Sequence, residues 1–138
     1  VSSECSPSDV ELVTCSMATD LEPFSLLCRS MDACCDSRYV HHVIVPRKDI
    51  ACFQQFSSMR RRIIAQEALL PRKLFALPDF FKLLSFVSQG FRRPIYFDSK
   101  MRAIRGWIIQ QLLKLEFAKN STAKAVIHID SDVCFFRD

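Results

Sequence analysis

The chain predicts an α/β fold with a mainly parallel, Rossmann-like sheet and helices on both faces. Three observations carry this expectation. Strand-like runs alternate with helix-period segments in the order β-α-β-α-β, an irregular insert, then α-β. The last run, ending at Ile129, is apolar around a single polar His128 and reads as a buried strand. At 138 residues there is room for one core, burying about two-thirds of the unfolded surface.

Residues 1–8 are polar and read as a loose lead-in, with a single domain over 9–138. Val10 to Thr14 alternates and is β-branched, a first strand. Thr19 or Asp20 then caps a helix over Glu22 to Cys35, with Leu26, Leu27, Ser30, Met31 and Cys34 on one face. Val40 to Val45 is a second strand, stopped by Pro46, with His41 and His42 expected at the surface or a strand edge. Lys48 to Phe56 is a short helix carrying Ile50, Phe53 and Phe56 at helical spacing, and Arg61 to Ala65 is a third strand. Residues 67–105 are irregular, with Pro71, Pro78 and Pro94 between apolar clusters. Gly106 ends that stretch, and Trp107 to Lys119 is the clearest helix, with an apolar surface of Ile108, Leu112, Leu113, Leu115 and Phe117. Trp107 reads as packing at the helix entry. A turn at Asn120-Ser121-Thr122 leads into a last strand, Val126 to Ile129, whose His128 reads as a core imidazole. That turn also fits a glycosylation sequon, which matters only in a secretory compartment.

Composition excludes several functions. With two glycines there is neither a Walker A loop nor a G-x-G-x-x-G fingerprint. No apolar run approaches the ~20 residues of a membrane span. Seven cysteines without C-x-x-C spacing argue for reduced, mostly buried thiols and a cytoplasmic setting. A Golgi-lumenal or membrane-associated setting is the alternative if a leader precedes the chain. The net charge of +4 is uneven: residues 47–105 hold thirteen basic and four acidic residues, against six and eleven elsewhere. A basic middle suits a polyanionic partner or a solvated surface.

Two constellations carry chemistry. Asp130 and Asp132 close the last strand, and along an extended segment they point to one side. Carboxylates so placed repel unless a cation or proton lies between them, and a hard oxygen pair suits Mg²⁺ or Mn²⁺ shared with substrate phosphates. Gln110, Gln111 and Lys114 fall on one helical stripe and offer amide and ammonium donors near that acidic end.

Leu12-Val-Thr-Cys-Ser16, then Trp107-x-x-Gln110-Gln111-x-x-Lys114, then Ile127-x-Ile-Asp-Ser-Asp-Val133 resemble the nucleotide-sugar glycosyltransferases of the GT-A fold. The likeness is to a group distantly similar to glycogenin-like and lipopolysaccharide galactosyltransferase-like enzymes, and it spans most of residues 10–138. It implies transfer of a sugar from a nucleoside-diphosphate sugar to a glycan, lipid or protein acceptor, with Mn²⁺ or Mg²⁺. It also implies that Thr14, Cys15 and Ser16 touch the base and ribose, with Arg47, Lys48 and Asp49 near the base pocket. Asp130 would lie toward the ribose and metal, Asp132 would ligate the metal bridging the diphosphate, and Lys114 matches a basic position on the helix before the motif.

In such enzymes the acceptor site, later metal ligands and residues near the sugar follow the D-x-D. The 138 residues are therefore expected to hold the donor-binding half, inactive alone, with the catalytic residues beyond residue 138. Two other readings remain. Ile127-His-Ile-Asp-Ser-Asp-Val133 also matches the strand-end motif of haloacid-dehalogenase-type phosphohydrolases, which would make Asp130 a nucleophile and Asp132 its acid/base. Arg60-Arg61-Arg62, Arg72-Lys73 and Arg92-Arg93 suggest a basic binding module, although Phe75, Phe80, Phe81, Phe86 and Phe91 sit in apolar clusters rather than as stacking platforms, so nucleic acid is not the expected partner.

Overall fold

A computed structural model describes residues 9–70, 74–76, 96–98, 100 and 102–137. The fold is the expected parallel α/β sheet. Strands β1 (Val10–Cys15), β2 (Val40–Val45), β3 (Arg61–Ala65) and β7 (Ala125–His128) form one four-stranded sheet in the order β3-β2-β1-β7, with every pairing parallel. Between them run helix α1 (Leu21–Cys34), the short α2 (Ile50–Phe53) flanked by 3-10 turns, α3 (Gln66–Leu69) and α4 (Gly106–Asn120). Part of the irregular insert makes a small antiparallel sheet of β4 (Phe75–Ala76), β5 (Tyr96–Phe97) and β6 (Ala103–Ile104). The remainder of that insert lies outside the described residues, with Phe80, Phe81, Phe86, Phe91, Arg72-Lys73 and Arg92-Arg93.

The period-two alternation of β1 builds two cores. Leu12 faces α1 and joins Phe24, Leu27, Cys28, Met31, Val43, Val45 and Phe53, together with Ile129 from just past β7. Val13 and Cys15 face α4 and join Ile44, Tyr96, Ile109, Leu113 and Phe117. Ile50 and Phe56 pack at the margin of the first core, as their helical spacing implies.

Several expectations shift by a face. Helix α1 buries Phe24, Leu27, Cys28 and Met31, while Leu26 is 48% exposed. Helix α4 buries Ile109, Leu113 and Phe117, one stripe at four-residue spacing, and leaves Ile108, Leu115 and Trp107 exposed. Trp107 is thus an outward-facing residue on the first turn. β7 is not a buried strand: among the described residues it pairs with β1 alone, and Ile127 and His128 are exposed. The opposite correction applies to β2, which lies between β1 and β3 and is covered on both faces. Its His41 and His42 are both buried, one toward each core.

Burying those imidazoles needs partners. Arg61 Nε donates to His41 Nδ1 at 3.1 Å, and Thr14 Oγ1 lies 2.9 Å from His41 Nε2. Arg61 also reaches Asp32 at 2.8 Å, so one of the sequence's basic residues is core rather than solvated surface. His42 packs against Phe117 with tilted rings whose centroids are 4.8 Å apart, and Glu11 Oε1 lies 3.3 Å from its Nε2. Among the described residues no helix is long and apolar enough to cross a membrane. Their six cysteines are free thiols: Cys15 and Cys28 are buried, whereas Cys52 and Cys134 are exposed.

Candidate functional site

The topology marks one end of the sheet. The chain lays down β1, β2 and β3 side by side, then returns to place β7 against the other edge of β1. Strand order therefore reverses between β1 and β7, and in open α/β sheets ligands bind at the carboxyl ends of strands at such a switch point. The residues there are Cys15 at the end of β1, Ser16 after it, and Asp130-Ser131-Asp132 after β7.

Asp130 and Asp132 are both exposed. Lys114 on α4 reaches across with its Nζ 3.2 Å from Asp130 Oδ1, its own side chain 16% exposed against 74% for the aspartate. The helix before the motif thus delivers its ammonium to the first carboxylate. Ile129, between strand and motif, is buried, and its N–H donates to Val13 O at 2.8 Å, which pins the start of the turn. Partial desolvation of the ring, then the Lys114 charge, holds the His128 imidazole below its ordinary 6.5, the Asp130 carboxylate opposing.

The other expected residues divide. Thr14 is fully buried on the α1 side with its hydroxyl engaged by His41, so it shapes the core beneath the site. Cys15 and Ser16 line a narrow cleft between the carboxyl ends of β1 and β2 and helix α4, with Ile44, Gln66, Tyr96 and Gln110 among its walls. Burial pushes the Cys15 thiol up to about 11, Lys114 opposing, so this cysteine is a protonated wall rather than a nucleophile. Ser16 Oγ is buried with no hydrogen-bond partner among the described residues, while its N–H donates to Ile44 O at 3.0 Å. The cleft's volume of about 40 Å³ holds a few waters and no more.

Gln110 faces this cleft while Gln111 is exposed, so the expected stripe splits between cleft, solvent and the D-x-D. Asp49 is buried, and its Oδ2 accepts from the Ala18 N–H at 3.0 Å, tying the end of β2 to the loop after β1. Arg47 and Lys48 are exposed beside it, and the Arg47 N–H donates to Glu67 at 2.9 Å. Gln66 and Tyr96, bonded to each other in the cleft wall, were not anticipated. Gln66 follows β3 directly, and the strand-end rule that singled out Asp130 would have found it. Tyr96 lies in the irregular insert, where no periodic signal marks it.

The donor set at the D-x-D is two carboxylates. Among the described residues no group of three or more His, Cys, Asp or Glu converges to hold a metal ion. Two exposed carboxylates fit a cation that keeps waters and takes its other oxygens from substrate phosphates, the habit of Mg²⁺ and Mn²⁺, rather than an all-protein cage. On the α1 side a mostly apolar groove of about 540 Å³ runs from Tyr39 and Cys35 to Asp130 and Val133.

No curated protein and no solved structure matches the chain. One family model does, over residues 10–138, from the first residue of β1 through both aspartates. The chain belongs to that family, a family of unknown function designated DUF6492.

Proposed function

We propose that the protein is the donor-binding portion of a metal-dependent glycosyltransferase that takes a nucleoside-diphosphate sugar. The observation carrying this is the Lys114–Asp130 contact at the switch point, an ammonium from α4 meeting the carboxylates at the carboxyl end of β7. A diphosphate needs both signs of partner there: cationic donors on its oxygens and carboxylates to hold the counter-cation. When bound, the cation would neutralise charge growing on the diphosphate leaving group. Asp130 and Asp132 are the residues that would hold it. Lys114 would exchange its carboxylate partner for a phosphate oxygen. The acceptor on this reading is a glycan, lipid or protein. The phosphohydrolase reading is not favoured, since β7 closes the sheet after three earlier parallel strands instead of opening the domain.

Thermal unfolding with a panel of nucleoside diphosphates, with and without Mn²⁺, tests the proposal. A ligand at a hundred times its Kd stabilises by about 2.7 kcal/mol. A metal-dependent rise with UDP or GDP, abolished in Asp132→Ala, is expected. A folded sample indifferent to every nucleotide would rule the proposal out.

A further inference from the structure

Asp130 and Asp132 differ in how they are held. Asp130 has Lys114 as a side-chain partner and follows the pinned Ile129. Among the described residues the Asp132 carboxylate has no hydrogen bond or ion pair, so its position depends on the backbone that carries it. That backbone is a short excursion between two anchors. The upstream anchor is the Ile129 N–H on Val13 O, and the turn itself is closed by the Val133 N–H on Asp130 O at 3.3 Å.

The downstream anchor is on α1. Phe135 donates its N–H to Ser30 Oγ at 3.1 Å and accepts at its carbonyl from Cys34 Sγ at 3.5 Å. Its side chain packs against the α1-side core, and Arg137 adds a bond to the Cys34 carbonyl at 3.3 Å. Ser30 and Cys34 are four residues apart and share one stripe of the helix, so α1 grips both backbone groups of a single residue. Ser30 is committed further: its hydroxyl donates to Leu27 O at 3.0 Å, which leaves its lone pairs aimed at the Phe135 N–H. A serine inside a helix is slightly unfavourable when it bonds back to its own backbone, and the docked strap offsets that cost.

We propose that Ser30 is a positioning residue for the D-x-D turn. By clamping the chain just past Asp132 onto α1, it fixes where Asp132 presents its carboxylate to a divalent cation. The proposal rests on the metal-and-diphosphate reading above. It adds that the cation's second carboxylate is set from the α1 side of the sheet, opposite the α4 side that supplies Lys114.

Outer residues that orient metal ligands change affinity by about 10- to 100-fold when removed. Titration of Mn²⁺ alone, with free ion followed by electron paramagnetic resonance, should therefore show about tenfold weaker binding in Ser30→Ala and near-normal binding in Ser30→Thr, which keeps the hydroxyl. Ala favours the helix at least as well as Ser, so urea unfolding should be little changed. Amide exchange over residues 130–135 should quicken in Ser30→Ala and not in Ser30→Thr. If the wild type binds Mn²⁺ and Ser30→Ala binds it equally with unchanged exchange, the clamp is refuted while the metal reading stands. If the folded wild type binds Mn²⁺ neither alone nor with UDP, the metal reading falls and the positioning role with it, while the exchange over residues 130–135 still decides the clamp itself.

Discussion

At the scale of single residues, the buried histidines do the most to set the core. Arg61 is always charged and can only donate, so its Nε–H on His41 Nδ1 leaves the imidazole proton on Nε2, donated to Thr14 Oγ1. One side chain thereby satisfies a guanidinium nitrogen and a threonine hydroxyl beneath the first core. His41→Leu keeps an apolar shape but strands both groups. Leaving a buried donor and a buried acceptor without partners costs about 1–3 kcal/mol each, so a loss of about 3 kcal/mol in urea unfolding is expected. A loss under about 1 kcal/mol would show that the network is slack. The sequence made β2 legible as a strand but not these two residues as interior. A His-His pair gives no periodicity, and burial came from the strand's central place in the sheet, which no local pattern encodes.

At the scale of elements, period was legible and phase was not. Helix α4 carries Trp107, Ile108, Ile109, Leu112, Leu113, Leu115 and Phe117, apolar residues around most of its circumference. Any of several stripes would have satisfied a helical pattern, and only docking against Val13 and Ile44 selects Ile109, Leu113 and Phe117. Leu113 is 2% exposed and Leu115 is 67% exposed. Leu113→Ala should therefore cost about 2–5 kcal/mol, and Leu115→Ala should stay within about 0.5 kcal/mol, by urea unfolding of the two variants. Equal costs would mean that the helix is rotated from this face. The rotation matters to the site, because the same phase that buries Leu113 turns Lys114 toward Asp130. The D-x-D and its lysine were legible because strand-end position and helical spacing are local. The same strand-end rule reaches Gln66, whereas Tyr96 and the Ser30 clamp were not legible, since each depends on which segments the fold brings together.

At the scale of the whole molecule, strand order and acid stability have a common root. A β-α-β-α-β pattern announces a parallel sheet, but the reversal that puts β7 beside β1 is a tertiary choice, and it makes β1 and β2 the two central strands. β2 then carries His41 toward one core and His42 toward the other. Both lie below the ordinary 6.5: His41 is held near about 3 by burial and then by Arg61 and Arg60, and His42 is lowered by burial against the pull of Glu11. A base whose folded pKa is depressed leaves the unfolded chain binding the proton first. Stability is then complete above about pH 6.5 and falls as pH drops, with His41 contributing down to about pH 3. Lowered carboxylates at Asp36 and Asp98 act in the same direction at more acid pH. Because one imidazole sits under each face, protonation loosens both cores in one transition instead of peeling off a single helix. The urea midpoint should therefore decline between pH 7 and pH 5 with tryptophan fluorescence and far-ultraviolet circular dichroism moving together, and His41→Leu should flatten that decline. A midpoint constant down to pH 5 would mean that these imidazoles protonate in place, which the closed network around His41 does not allow.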